Sequence, residues 1–292
     1  MDEPILLAID GHNLAYRAFH AIRADLRAPD GRPTNALLGF VRTTEALFAA
    51  LSPTHRCVVF DGGIPPHRKA WLPAYKANRP PMPDALREQF PLMDAWLDAA
   101  RIPRIRLPDE EADDVLATLA RQAEADGADV LLASSDRDLM TLVSDRVRLV
   151  TPTARPTIGG VQDVLRRTGV PPGQVLAWRA LVGDPSDNIP GVRGVGPRTA
   201  ARLLTCHGSL EQLWAHPEAI EPARIREAVV AARAEVERNV AVIRLNERVD
   251  GPLDWKACAR AEPDPVALRH VLRDVGFTQR SAPSPDEPDL FS

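Results

Sequence analysis

The 292-residue chain carries 36 Lys and Arg against 40 Asp and Glu, a formal net charge of −4, and is 45% hydrophobic. That hydrophobic content excludes a disordered chain, and the length allows one large domain or two modest ones with real cores. No stretch is apolar enough for a membrane span, the acidic start argues against a targeting peptide, and three scattered Cys argue against a zinc site and suit a reducing, cytoplasmic compartment.

In chain order, short apolar runs at 5–9, 57–60, 130–133 and 147–150 predict buried strands. Cys57 opens one of these runs as a core residue. Between the runs, Leu37, Leu38, Val41, Leu47, Phe48 and Leu51 recur at helical spacing after Thr34, a candidate N-cap. Val115, Leu116, Leu119 and Ala123 do the same behind Asp109-Glu110-Glu111. This alternation predicts an α/β fold, a mainly parallel central sheet flanked by helices, over residues 1–160. From about residue 160 the strand signals stop. Residues 161–280 predict an all-helical part, with one long helical stretch over 222–247, and 281–292 predict a disordered tail.

Acids sit where strands end. Asp10 and Asp61 close the first two runs, and Asp136 and Asp138 follow the third. Glu111, Asp113 and Asp114 stand at a helix start, and Asp184 and Asp187 open the helical half. Open parallel sheets bind ligands beyond the carboxyl ends of their strands. Taken singly, an Asp there is an ordinary cap or turn residue, and 111–114 is an ordinary helix-start charge cluster. Together, the nine predict hard divalent cations among them, since converging carboxylates repel one another. Carboxylate-held cation pairs serve in-line phosphodiester displacement. Setting the nine aside leaves 31 acids against 36 bases, a mildly basic remainder that suits a nucleic-acid binder.

Residues 62–80 hold His67, Arg68, Lys69, Lys76 and Arg79, with Trp71 and Tyr75 interleaved and no acid. A solvated loop would carry the same residues, but the position after Asp61 predicts phosphate contacts over the site, with Arg68 among the DNA-binding residues. A second basic segment, 189–209, contains Gly191, Arg193, Gly194, Gly196, Arg198 and Arg202 and again no acid. Pro197 suits the first turn of a helix. Between two helices, this Gly-rich turn predicts a helix-hairpin-helix near 184–205 that grips duplex DNA by its backbone.

The motifs IDGHNLAYRAFHA, VVFDGG, AYKANRPPMP, EEADDVLATLA, SSDRDL and VGDPSDNIPGVRGVGPRTAARLL resemble, as a set, the 5′-nuclease domain of bacterial DNA polymerase I and, more distantly, the flap endonucleases. The resemblance spans residues 5–277 and implies a PIN/resolvase-like fold and a metal-dependent 5′-3′ exonuclease or flap endonuclease of replication and repair. It implies metal ligation by Asp10, Asp61, Glu111, Asp113, Asp114, Asp136, Asp138, Asp184 and Asp187, two or more Mg²⁺ ions, and Mn²⁺ as a substitute. Asp113, Asp114, Asp136 and Asp138 would be the direct ligands, some through water. The family's helical arch matches residues near 64–83, with Lys76 and Arg79 at the scissile phosphate, and Arg17 matches a DNA-contacting position. The hairpin, matched by Gly191, Arg193, Gly194, Gly196 and Arg198, also implies a K⁺ ion. His67 and the Pro197-Arg198 pair depart from the family's usual residues.

The expected partner is DNA with a 5′ flap, nick or end, or an RNA primer hybrid, bound by a monomeric, stand-alone nuclease at the nucleoid. Glu287-Pro288-Asp289-Leu290-Phe291 resembles terminal peptides that dock on sliding clamps, though it lacks their leading Gln. The main rival is a non-catalytic DNA-junction binder. It would tolerate loss of central acids, and none is lost.

Overall fold

The computed structural model describes residues 3–277, so the tail and its clamp-like peptide lie outside the described residues. The first half consists of β1 (Ile5–Asp10), α1 (Gly11–Ala21), α2 (Asn35–Leu51), β2 (His55–Val59), α3 (Pro66–Trp71), α4 (Asp84–Arg87), α5 (Phe90–Ala99), β3 (Arg104–Ile105), α6 (Ala112–Ala125), β4 (Asp129–Ala133), β5 (Val147–Val150) and β6 (Ile158–Gly159). The rest is helical: α7 (Val161–Thr168), α8 (Pro172–Val182), α9 (Pro197–His207), α10 (Leu210–Ala215), α11 (Ala223–Ala231), α12 (Arg233–Ile243) and α13 (Pro265–Asp274).

The six strands run in the order β3-β2-β1-β4-β5-β6. All pairings are parallel except β5 with β6. β1 is central, so its residues are sealed on both faces. Leu7 and Ile9 face a core with Phe40, Phe60 and Trp96, while Leu6 and Ala8 face one with Val115, Leu116 and Leu119. A third core of Val175, Trp178, Leu181, Val192, Val195 and Leu204 holds the helical half.

Three expectations are corrected. Thr34 precedes α2, but its side chain makes no capping hydrogen bond. The helical stretch expected over 222–247 is broken at Ala232 into α11 and α12 and stops at Ile243. The chain after α12 also leaves the helical half. Trp255 and Cys258 enter the core beneath β1, and Val275 enters the one on the opposite face.

Candidate metal and nucleic-acid site

Parallel pairing of β1, β2 and β4 sends their carboxyl ends to one edge. Asp10 ends β1 and caps α1, its Oδ1 accepting the Asn13 amide N–H at 3.0 Å and its Oδ2 the Ser134 hydroxyl at 2.9 Å. Asp61 Oδ1 accepts the Ala112 amide at 2.9 Å, which ties the β2 end to the start of α6. Its Oδ2 lies 3.2 Å from His12 Nδ1, which accepts the Asp61 amide at 3.0 Å. Asp136 Oδ1 accepts the Asp138 amide at 2.8 Å. Asp113, in the first turn of α6, has an Oδ1 shielded from solvent with no hydrogen-bond partner.

These acids feel one another. Burial pushes the Asp10 carboxyl up to about 7; Asn13 and Ser134 oppose the rise, and the charges of Asp61 and Asp136 add to it. Asp113 is driven well above its ordinary value by burial and then by Asp136, Asp10 and Asp61. Burial and Asp136 push Asp138 up to about 6 against the pull of Arg179. An unpartnered buried oxygen amid mutually repelling carboxylates fits a divalent cation, which would relieve both. Among the described residues, no three or more His, Cys, Asp or Glu side chains are arranged so that they would hold a metal ion as they stand. Mg²⁺ retains several of its waters and suits such an open arrangement.

The other five acids are already paired with cations. Asp114 is fully buried, and both its oxygens accept from Arg68 at 2.7 Å. Its Oδ1 also takes the Asn246 amide at 2.8 Å. It thereby braces α6, and the metal ligation expected of it would require Arg68 to yield one of its oxygens. Arg68 is 2% exposed and also donates to Glu111 and to the Arg244 carbonyl, so its guanidinium is turned to the interior here and not to the surface where DNA contact was expected. Burial opposes its charge, but Asp114 and Glu111 more than restore it. Glu111 accepts Arg68 and the Tyr75 hydroxyl on Oε2 and Lys76 Nζ, at 2.8 Å, on Oε1. Arg79 pairs with Asp187. The basic segment thus lies down on the acids, held also by hydrogen bonds from the Lys76 amide to the Asp187 carbonyl, from Asn78 to Pro185 and from Asn188 to Ala74.

Arg179 is a site residue that sequence reasoning missed. This nearly buried side chain of α8 donates from Nε to Asp138 at 2.7 Å and from Nη2 to Asp184 at 2.6 Å, joining the two acidic groups. Its signal was a lone cation in an apolar helix five residues before Asp184. His12, Ser134 and Tyr75 were likewise not singled out as partners of the acids.

Arg17 is half-buried on α1. Between α8 and α9 the Gly-rich turn is anchored by buried Val192 and Val195 and leaves Arg193, Gly194, Gly196 and Arg198 exposed. Gly191 is required there, since a Cβ would fall 2.0 Å from the Val182 carbonyl oxygen. Gly194 adopts φ +78°, which favours glycine. Trp178 Nε1 donates to the Pro197 carbonyl at 3.0 Å and fixes the start of α9 on α8.

A parallel sheet with acids gathered at its carboxyl edge, cations folded over them and a helix-hairpin-helix alongside defines a nuclease of the resolvase-like class. Residues 5–169 match the family described as 5′-3′ exonuclease, N-terminal resolvase-like domain, and residues 170–266 match 5′-3′ exonuclease, C-terminal SAM fold. The chain is 34% identical over 270 residues to the 5′-3′ exonuclease of Aquifex aeolicus, covering 92% of this chain and 91% of that one. It is 40% identical over 280 residues to DNA polymerase I of Rhizobium leguminosarum, covering 94% of this chain but 28% of the polymerase. It thus spans under a third of the polymerase's length. The bacteriophage T5 D15 flap endonuclease, solved with DNA and metal ions, shares the fold at a TM-score of 0.69 and 23% identity, covering 83% of this chain and 89% of that chain. The chain belongs to the 5′-3′ exonuclease family.

Proposed function

We propose that the chain hydrolyses DNA phosphodiester bonds at 5′ ends and 5′ flaps, leaving 5′-phosphate products, with Mg²⁺ as the working ion and Mn²⁺ as its substitute. The observation that carries this is the Asp10, Asp61, Asp113 and Asp136 group, whose mutual repulsion calls for cations. Those four would hold the ions, with Asp138 and then Glu111, Asp184 and Asp187 at the periphery. When bound, the ions supply a nucleophile at neutral pH and stabilise charge on the phosphate.

Lys76 and Arg79 answer charge developing on the scissile phosphate by exchanging Glu111 and Asp187 for it. Asp10, Asp61 and Asp136 are pre-oriented by Ser134, Ala112 and Asp138, so little reorganisation accompanies the reaction. Arg193, Arg198 and the backbone of Gly191, Gly194 and Gly196 grip the downstream duplex, and a K⁺ ion on the hairpin would complete that contact. Arg17 meets the strand near the site. The protein acts as a cytoplasmic monomer on DNA or primer hybrids; among the described residues no helix is long and apolar enough to cross a membrane.

The test is cleavage of a 5′-labelled flap duplex in Mg²⁺, in EDTA, and by Asp136→Ala. Mg²⁺-dependent release of short 5′ fragments, lost in the variant while binding persists, is expected. Tight flap binding without cleavage in Mg²⁺ or Mn²⁺ would replace this reading with a non-catalytic junction binder.

A further inference from the structure

The exit of β2 is held from two sides, and on one of them stands a histidine. β1 and β2 pair with Asp10 beside Val59, so α1, which starts straight after Asp10, begins next to that exit. His12, the second residue of α1, reaches across. The Asp61 amide points its hydrogen at His12 Nδ1, 3.0 Å away. Nδ1 is therefore the acceptor of the ring, and the ring proton is assigned to Nε2. The ring is also wedged. It packs edge-on against Phe60 at 5.6 Å and tilted against Phe90 at 4.9 Å, both of them buried. Gly11 makes room for this arrangement, since a Cβ there would fall 2.4 Å from the Phe60 ring.

Asp61 itself is 45% exposed, and an Asp carboxylate in that setting turns readily about its last torsion. Here it is constrained at both oxygens. Oδ1 accepts the Ala112 amide at 2.9 Å. Oδ2 lies 3.2 Å from Nδ1, which is a second acceptor rather than a donor. Two lone-pair atoms at that distance repel, and the wedged ring does not yield. Oδ2 thus keeps its lone pairs unspent while its partner oxygen is tied down. A carboxylate held by one oxygen with the other uncompensated is poised to ligate a hard cation, and the groups that hold such a ligand set its affinity.

We propose that His12 is a positioning residue for the cation site: by accepting the Asp61 amide on Nδ1 it fixes the turn that carries Asp61 and leaves Oδ2 to a divalent ion. The inference rests on the reading of these acids as a cation site and deepens it. The ring acts through Asp61 and touches neither the ion nor the substrate.

The experiment titrates Mn²⁺ into the full chain without DNA, followed by electron paramagnetic resonance, beside melting curves of the metal-free protein. His12→Leu keeps an apolar filling between Phe60 and Phe90 and deletes the acceptor. Its dissociation constant for Mn²⁺ should rise about tenfold, the scale of losing a group that orients a metal ligand, with little change in melting temperature. His12→Asn places Oδ1 where Nδ1 stood, so it should restore most of the Mn²⁺ affinity while melting lower, because the space between the phenyl rings is left unfilled. Binding of a flap duplex in EDTA should be the same for all three proteins. Mn²⁺ affinity that follows melting temperature across the series would mark a structural role and overturn the proposal. Weakened flap binding in EDTA with parental Mn²⁺ affinity would make His12 a DNA contact instead. A parent that binds no Mn²⁺ would sink the cation reading and this inference together, whereas a parent that binds it as well as His12→Leu does would sink the role of His12 alone.

Discussion

The backbone N–H of Lys76 donates to the carbonyl of Asp187 at 3.0 Å, across 111 positions of sequence. The two loops they belong to are closed on each other by Asn188 Nδ2 on the Ala74 carbonyl at 2.9 Å and Asn78 Nδ2 on the Pro185 carbonyl at 2.8 Å. Lys76 and Asn188 both hold left-handed backbone, with φ of 56° and 58°. Asn tolerates that conformation better than most residues, and its amide completes the junction.

Asn188→Gly keeps the left-handed turn and deletes only the side-chain hydrogen bond. A bond of this kind contributes about 1 kcal/mol, so cleavage should fall roughly fivefold at saturating substrate with a small change in melting temperature. In a Lys76→Ala background the same change should cost nothing more, because Asn188 acts by positioning that segment. Additive losses would show that the junction supports folding rather than Lys76.

Stability of the metal-free protein should fall as pH rises. The Asp10 carboxyl ordinarily titrates near 3.8 and is raised to about 7 in the fold. Between those values the folded state keeps a proton that the unfolded chain has lost, so folding is penalised progressively as pH climbs through the window. Asp113 is shifted in the same direction. Melting curves should show Mg²⁺ restoring several degrees above the window and much less below it. An equal Mg²⁺ effect on both sides would mean that the acids do not share the ion.

Arg68 and Arg198 should fail in opposite ways. Arg68→Met strands Asp114 without its cation and leaves Glu111 with Lys76 alone, and breaking such a buried pair costs about 3–5 kcal/mol in denaturant unfolding. The salt dependence of DNA binding by the protein that remains folded should not change. Arg198→Ala should leave unfolding within about 0.5 kcal/mol of the parent. It should lower affinity and reduce the slope of log K against log salt by about 1. A stable Arg68→Met with weakened DNA binding would return that residue to the interface.

Arg179→Met should uncouple the two acidic groups, leaving Asp138 and Asp184 to repel. We expect a loss of about 3–5 kcal/mol in stability, partly recovered by Mg²⁺. Arg179→Lys should restore little, since one ammonium cannot reproduce the fork that spans both carboxylates. Full recovery with Lys would reduce Arg179 to a plain counter-charge.

What sequence disclosed follows from range. Asp10, Asp61 and Asp136 stand within three residues of their strands, so the periodic apolar runs alone place them at one edge. The hairpin was legible because its glycines and prolines act locally. The partners of Arg68 lie 43 and 46 residues away, and no local pattern distinguishes a cation bound for Asp114 from one bound for phosphate. The strands β3 and β6 are two residues each, too short to show alternation. Arg179 was hidden because an apolar helix reads as core, and its one cation is explained only by acids that arrive from two other segments.

The return of the chain after α12 has a mechanical consequence. The Arg260 amide donates to the Thr54 carbonyl at 2.9 Å, Arg56 donates to the Ala261 carbonyl at 3.0 Å, and the Asp264 amide donates to the Ala99 carbonyl at 2.9 Å. The helical half is therefore tethered at both its entry and its exit, like a handle fixed at two points. A single cut near residue 160 would not release it. Any tilting of the hairpin toward or away from the acids would have to strain both attachments at once.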